Sequence, residues 1–171
     1  MSWSRRAASR VCAASMGAVA LGGCFQPLYQ GGAAGSAGAA LSSVVVTPIS
    51  ERLGYYLTNE LTFRFNGGAP VDNPQYRLTV ALHERVQTPV VDTVSGQATA
   101  AIVGIDAEYK LETAGGLSVV TSGTAFTTET YDRTSQRFAN IRAARDAEIR
   151  GAKVLGDQIF TRVAAALHSG G

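Results

Sequence analysis

The chain has 171 residues, of which 15 are basic, 13 are acidic and 46% are hydrophobic, and its formal net charge is +2. This length suits one domain with a hydrophobic core. Three of the basic residues, Arg5, Arg6 and Arg10, lie at the start of the chain, so the remainder is close to neutral. A nearly neutral domain does not have the basic surface of a nucleic-acid-binding protein, and we expect no nucleic-acid partner.

The first 24 residues have the pattern of a bacterial lipoprotein signal. The three arginines precede an apolar run of 11 residues, Val11–Leu21, which fits a signal peptide and is too short for a membrane-spanning helix. Leu21-Gly22-Gly23-Cys24 then matches the lipobox, in which small residues precede a cysteine that receives a diacylglycerol. We therefore predict a signal peptide over 1–23, cleavage between Gly23 and Cys24, and membrane attachment through acyl chains, palmitate among them, on Cys24.

The two cysteines fit this prediction. Cys12 lies inside the predicted signal, so cleavage leaves Cys24 alone and acylated, which excludes a disulfide and a cysteine-ligated metal site. Phe25 follows Cys24, whereas an aspartate there favours retention in the inner membrane in enteric-type sorting, so we predict the outer membrane. Two other interpretations stay open, namely an ordinary signal peptide with a chance cysteine and a twin-arginine signal that begins at Ser4.

Residues 24–40 are predicted to be the lipid anchor and a flexible linker, because GGAAGSAGAA at 31–40 cannot bury enough surface to order itself. A single α+β domain is predicted over 41–168. Its first element is a β-branched strand, LSSVVVTPI at 41–49. A helix with an apolar stripe of leucines follows from Ser50, its predicted cap, through residue 65.

Three alternating segments follow. Residues 76–86, 98–113 and 117–131 alternate between apolar and polar side chains, which predicts half-buried strands. Residues 114–116, Ala-Gly-Gly, are typical of a hairpin turn between the last two strands. One polar face on each strand indicates a sheet that is covered on one side only.

The last segment predicts a long helix over 140–167, with an apolar stripe into which Glu148 also falls. Gly151 and Gly156 weaken an isolated helix and often mark close packing on a sheet. The predicted fold is a two-layer α+β sandwich, with two helices on one face of a four-stranded mixed β-sheet.

Little in the chain points to catalysis. Its histidines are His83, on a predicted polar strand face, and His168, near the C-terminal glycines, and no zinc-protease, nucleophile-elbow or phosphate-loop motif occurs. Asp106 and Glu108 share a strand face with Glu112, and a glycosidase would use such a pair, but alternate strand positions give this spacing by default. We predict a protein that is not an enzyme and that needs no cofactor or metal.

Basic residues on the polar strand faces are the candidate binding residues. Arg77, Arg85 and Lys110 could meet anionic groups such as the phosphates of a glycolipid. The alternative, ordinary solubilising charge, stays open for each of them.

Four stretches of the sequence together resemble the lipopolysaccharide-assembly lipoprotein family (LptE-like), in its alphaproteobacterial form. They are GCFQPLY at 23–29, LTNELTFRF at 57–65, YRLTVAL at 76–82 and YDRTSQRFANIRAARDAEIRGAKVLGDQI at 131–159. Family members commonly have a glycine between the lipid cysteine and the phenylalanine, whereas here Phe25 follows directly.

This resemblance implies two helices packed on a four-stranded sheet, a role without turnover and a place on the periplasmic face of the outer membrane. It also implies a partner, an outer-membrane β-barrel LPS-assembly protein (LptD-like). The lipoprotein plugs the lumen of this barrel and aids its assembly. The ligand that it implies is lipopolysaccharide, which the complex inserts at the cell surface. Family work implicates basic residues in lipopolysaccharide contact, but no motif carries those positions over to this chain. Two other functions stay open, an auxiliary lipoprotein of an envelope lipid transporter and a lipid-anchored hydrolase.

Overall fold

The computed structural model describes residues 36–91 and 98–169, which form a four-stranded sheet with three helices. The predicted signal, Cys24 and the linker up to residue 35 lie outside these residues, so the predicted division of the chain there stays a prediction. The α+β fold with a four-stranded mixed sheet is confirmed, and it includes one short helix that the sequence pattern did not predict. The elements are α1 (Ser36–Ser42), β1 (Val44–Val46), α2 (Glu51–Asn66), β2 (Tyr76–Val91), β3 (Ala98–Thr113), β4 (Val119–Asp132) and α3 (Arg137–Ser169).

The strands lie in the order β1-β2-β3-β4, so each strand pairs with its neighbour in the sequence. β1 is parallel to β2, with Val46 opposite Leu78, and the other two pairs are antiparallel. A parallel pair needs a crossover connection, which contains α2. The predicted hairpin joins β3 to β4, and its tight turn uses Gly116 at a φ of 67°, a conformation that glycine adopts without a steric cost.

The first predicted strand, 41–49, is wrong over most of its length. Only Val44–Val46 form a strand, and Leu41 belongs to α1. The Ser43 hydroxyl donates to the Ala40 carbonyl oxygen at 2.7 Å and closes the last turn of α1. Alanine favours helix, and Ala40 and Leu41 pack against the core. Tertiary packing therefore orders the end of a stretch whose composition alone predicts a flexible linker.

Helix α2 buries a stripe of leucines, as predicted. Leu57 and Leu61 are fully buried, and Leu53 is nearly so. Ser50 occupies the N-cap position, as predicted, but its side chain makes no hydrogen bond to the helix. The first helical residue, Glu51, has a φ of 70°, so the chain enters α2 through a turn that differs from the usual capping geometry.

Helix α3 lies across β3 and β4 and beside α2. Gly151 packs on the sheet as predicted, because a Cβ atom added to it would lie 2.5 Å from Ile105 Cδ1 of β3. Gly156 packs instead on α2, where a Cβ atom would lie 2.7 Å from Glu60 Cγ, so the prediction of a sheet contact is wrong for this glycine. No helix in residues 36–91 and 98–169 has the length and hydrophobicity needed to cross a membrane.

A buried carboxylate joins α3 to α2. Glu148 lies in the apolar stripe of α3 and is only 4% exposed. Arg52 of α2 donates from Nε to Glu148 Oε2 at 2.7 Å and from Nη2 to Glu148 Oε1. The hydrogen bonds with Glu148 raise the pKa of Arg52 above its usual value. Because both carboxylate oxygens accept charge-assisted hydrogen bonds, the pair links the two helices at a defined position.

Glu84 of β2 is a second carboxylate near this ion pair. It lies opposite the buried Ile105, on the side of the sheet that the helices cover. Partial burial raises the pKa of the Glu84 carboxyl above its ordinary value, and the charge on Glu148 raises it further, whereas Arg52 lowers it. The folded protein therefore holds the ionised form of Glu84 at a cost in free energy.

Replacement of Arg52 by methionine should destabilise the fold, because it leaves the Glu148 carboxylate buried without a partner. Loss of one partner costs about 3–5 kcal/mol in a fully buried pair, whereas an exposed pair contributes about 0–1 kcal/mol. The Arg52 side chain is 51% exposed. We therefore expect the free energy of unfolding to fall by about 1–3 kcal/mol, measured by urea denaturation. Adding Glu148→Gln should restore part of the loss, and an unchanged stability in Arg52→Met would contradict the role of the pair.

Replacement of Glu84 by glutamine should stabilise the fold in a pH-dependent way. The pKa of Glu84 is raised in the folded state, so the unfolded chain loses this proton first as the pH rises. The cost of ionising Glu84 is absent below the ordinary carboxyl pKa and complete above the raised one. Urea denaturation should thus show a gain for Glu84→Gln at pH 8 that declines toward pH 4. A gain that is independent of pH would show that the carboxyl charge is not its cause.

Candidate functional site

One face of the sheet carries mostly polar side chains and lies away from the helices. Residues alternate along β2, β3 and β4, and those that face the helices are mostly buried, among them Leu78, Ile105 and Ala125. The residues between them form the open face, which confirms the alternation that the sequence predicts. The open face consists of Arg77, Thr79, Ala81, His83, Arg85, Gln87, Ile102, Gly104, Asp106, Glu108, Lys110, Glu112, Ser122, Thr124, Phe126, Thr128 and Thr130.

The open face holds all three predicted anion-binding residues, but it brings only two of them together. Arg77 lies opposite Glu112 and Lys110 lies opposite Thr79, so Arg77 and Lys110 are diagonal neighbours. Arg85 lies six residues beyond Thr79 on β2, or about 20 Å along the strand. A site for one phosphate group therefore cannot include all three.

Two of these cations have carboxylate partners on the same face. Arg85 donates from Nη2 to Asp106, and Lys110 Nζ lies 2.9 Å from Glu112 Oε1. Within residues 77–87, 102–112 and 122–130 the open face has three carboxylates and three cations, so its formal charge is balanced there. An exposed ion pair contributes only about 0–1 kcal/mol, so a phosphate can replace the carboxylate. A balanced face, however, exerts little long-range attraction on an anion.

The acidic residues of the open face do not form an isolated catalytic pair. Asp106 bonds Arg85, and Glu112 pairs with Lys110, which leaves Glu108 exposed between them on β3. Within residues 36–91 and 98–169, no three histidine, cysteine or acidic side chains are grouped so that they could hold a metal ion. The arrangement offers ion-pair and hydrogen-bond partners that are spread over a broad surface.

Phe126 is an exposed aromatic residue on the open face that the sequence analysis did not single out. It is 68% exposed and lies opposite Asp106. The pattern in TSGTAFTTETY contains the signal, because Phe126 has the same parity as Thr124 and Thr128 and the opposite parity to the buried Ala125. The open face thus combines polar groups with one large apolar contact point.

Cys24, the predicted lipidation residue, lies outside the described residues. The described residues begin at Ser36, so they include neither Cys24 nor Gly23 of the predicted cleavage site. These two residues remain predictions from the lipobox pattern.

The fold resembles two solved structures of bacterial lipoproteins. The first, from Caulobacter crescentus CB15, has 20% sequence identity and a TM-score of 0.64, and the match covers 77% of this chain and 96% of that one. The second, a minor lipoprotein from Acinetobacter baumannii, has 17% identity and a TM-score of 0.51, with coverage of 71% and 88%. At these identities the likeness shows a shared fold. No curated protein sequence matches the chain.

A family model described as "LptE: Lipopolysaccharide-assembly" matches residues 41–163. The match runs from the last turn of α1 through the whole sheet and most of α3. It agrees with the resemblance carried by the four sequence stretches. The chain therefore belongs to the LptE family of lipopolysaccharide-assembly lipoproteins.

Proposed function

We propose that the chain is an outer-membrane lipoprotein that plugs the lumen of an LptD-like β-barrel translocon. It sits on the periplasmic face, anchored through acylated Cys24, aids assembly of the barrel and helps to insert lipopolysaccharide at the cell surface. The observation that carries this proposal is the broad polar open face, found on a fold whose family is described by lipopolysaccharide assembly.

The chemistry of the open face suits the lumen of a barrel. Such lumens are polar and filled with water in large barrels. A plug must replace its hydrogen bonds to water with hydrogen bonds to the lumen wall. The β4 side of the open face supplies a row of hydroxyl groups for this, at Ser122, Thr124, Thr128 and Thr130. Balanced charge also suits a lumen whose polar groups have both signs. Phe126 would add apolar contact area within this polar surface.

A role in binding rather than turnover is part of the proposal. The carboxylates on the open face have cationic partners or stand alone, and the Glu148 carboxylate serves a structural ion pair. The lipid anchor would confine the domain to the membrane surface and raise its effective concentration next to the barrel. Modest contacts over a broad face are then sufficient for a lasting complex.

The lipobox cysteine gives the first test. Cys24→Ala should leave an uncleaved, unacylated precursor that is absent from the outer-membrane fraction, because the variant has no thiol to receive the lipid. Cys12→Ala, within the signal, is the matched control and should be processed normally. Mild-detergent affinity purification of the unmodified lipoprotein should recover a large β-barrel in about equal amounts. Normal fractionation of Cys24→Ala would refute lipidation, and recovery of an inner-membrane transporter would favour the auxiliary-lipoprotein function.

The basic residues of the open face give the second test. Replacing Arg77, Arg85 and Lys110 by glutamine should weaken lipopolysaccharide binding roughly tenfold, because each exposed charge contact contributes about 0.2–1 kcal/mol. The binding should also become less sensitive to salt. The control variant replaces Arg142, Arg145 and Lys153 of α3, which are exposed and change the net charge equally. Equal affinity in both triple variants, measured on immobilised lipopolysaccharide, would exclude the open face as the binding surface.

A further inference from the structure

The two edges of the sheet differ in how their backbone groups are satisfied. Side chains of α3 reach over the β4 edge: Arg162 Nη1 donates to the Thr124 carbonyl oxygen at 2.5 Å, and Gln158 Nε2 donates to the Phe126 carbonyl oxygen at 3.1 Å. Arg150 Nη2 donates likewise to the Thr130 carbonyl oxygen at 2.9 Å. These bonds occupy outward-facing carbonyls of β4, so another strand cannot pair there without displacing them.

Among residues 36–91 and 98–169, nothing pairs with the β2 edge over most of its length. The short strand β1 covers only Tyr76–Leu78, and its last bond runs from the Thr47 N–H to the Leu78 carbonyl oxygen at 2.9 Å. Pro48 follows and has no N–H with which to continue the ladder. Beyond Leu78, every second residue of β2 points its N–H and C=O away from β3.

Val80, Leu82, Glu84 and Val86 carry these outward groups. In the part of the chain that the structure describes, their backbone groups have no hydrogen-bond partner, because the last bond on this side ends at Leu78. A free row of alternating donors and acceptors on an exposed strand is the template for addition of another strand.

A groove of about 270 Å³ runs beside this edge. One wall is the connection from β1 to α2 with the first turn of that helix, and the other wall is β2. Val86 lies beyond the groove on the same side of β2 and is a large hydrophobic residue that is 55% exposed. A strand added to β2 would lie about 4.8 Å from it and would occupy this groove. The lining residues are Pro48, Ile49, Ser50, Glu51, Leu53, Gly54, Val80, Ala81, Leu82 and Glu84.

The charge beside the groove is negative. Glu51 and Glu84 line it, and the charges of Glu148 and Arg52 act on Glu84. The cluster therefore holds three carboxylates and one guanidinium, and that guanidinium already donates two hydrogen bonds to Glu148. A cation next to Glu84 would relieve this repulsion without breaking the Arg52–Glu148 pair.

We propose that the free edge of β2 binds an extended segment of another protein, which adds as a fifth strand. The segment carries a lysine or arginine opposite Glu84 and apolar residues two positions to either side, opposite Leu82 and Val86. Main-chain hydrogen bonds to the outward residues of β2 supply affinity, and the central cation supplies selectivity. This interaction surface is separate from the open face and does not depend on a barrel partner.

A second copy of the chain fits this edge poorly. The free part begins after Leu78, and regular pairing with β3 ends at Gln87. An antiparallel β2–β2 pair that uses this whole stretch, residues 79–87, is centred near His83, so each Glu84 lies opposite Leu82 of the other copy and the two Glu84 side chains are diagonal neighbours. Two carboxylates so close together repel each other. The charge at Glu84 thus selects against self-association and in favour of a basic segment.

The test uses the full-length lipoprotein in mild detergent and a synthetic peptide, acetyl-Thr-Val-Thr-Lys-Thr-Val-Thr-amide, whose pattern is the same in either direction. Binding, measured by fluorescence anisotropy, should be at least tenfold tighter than for the peptide with Glu in place of Lys. Glu84→Lys should reverse this preference. Equal binding of the two peptides, or a preference that Glu84→Lys does not alter, would overturn the proposal.

A backbone variant separates strand addition from simple charge attraction. Val86→Pro removes an outward N–H and leaves the β2–β3 bonds intact, so it should reduce peptide binding at least tenfold. Val86→Thr is the matched control and should bind like the unmodified protein. Unchanged binding in Val86→Pro would refute main-chain pairing.

Hydrogen exchange and sedimentation distinguish the other occupants. The amides of Leu82, Glu84 and Val86 should exchange rapidly in the free protein and slow down when the peptide is added. Protection before addition would show that another segment of this chain covers the edge. A dimer that Val86→Pro dissociates would show that a second copy covers it, and either result would overturn the proposal.

Discussion

The close contact of helix α3 with strands β3 and β4 determines most of this structure. It depends on the missing side chain of Gly151, since the space that a Cβ atom would need is filled by Ile105. At this distance Glu148 reaches Arg52 and holds α2, while Arg150 and Gln158 reach over β4 to its carbonyl oxygens. Helix α3 therefore positions α2, covers the β4 edge of the sheet and buries one face of the sheet in the core. The open face is the surface that this packing leaves to solvent.

The spacing of apolar residues predicts those helices and strands whose structure depends mainly on burying one apolar face. The strands β2 to β4, the leucine stripe of α2 and the length of α3 follow from alternation or from a repeat of three to four residues. Prediction fails where contacts distant in sequence decide. Residues 36–40 form part of a helix because Ala40 and Leu41 pack on the core. The Ser50 side chain makes no capping hydrogen bond because the chain turns differently at Glu51.

The sheet face that the candidate residues share was predictable from the sequence, but the ion pairs that they form were not. Strand parity places Arg77, Arg85 and Lys110 on one face, because side chains in a strand alternate. The ion pair between Arg85 and Asp106 depends on the register of two strands, which parity does not determine. The same holds for Arg52 and Glu148, which are 96 positions apart. A charged residue in the apolar stripe of α3 signalled a buried partner, but its identity is a property of the tertiary fold.

The bonds from α3 to the β4 carbonyls also limit the size of any assembly that the sheet can form. A protein with two available edges can join copies head to tail without end, and such open repetition produces fibres. Here side chains of α3 bond three outward carbonyl oxygens of the β4 edge, so a molecule that has accepted a strand on β2 offers a poorer template at its other edge. Each sheet would therefore accept one added strand, at the β2 edge. This asymmetry between the two edges disfavours end-to-end polymerisation of the domain.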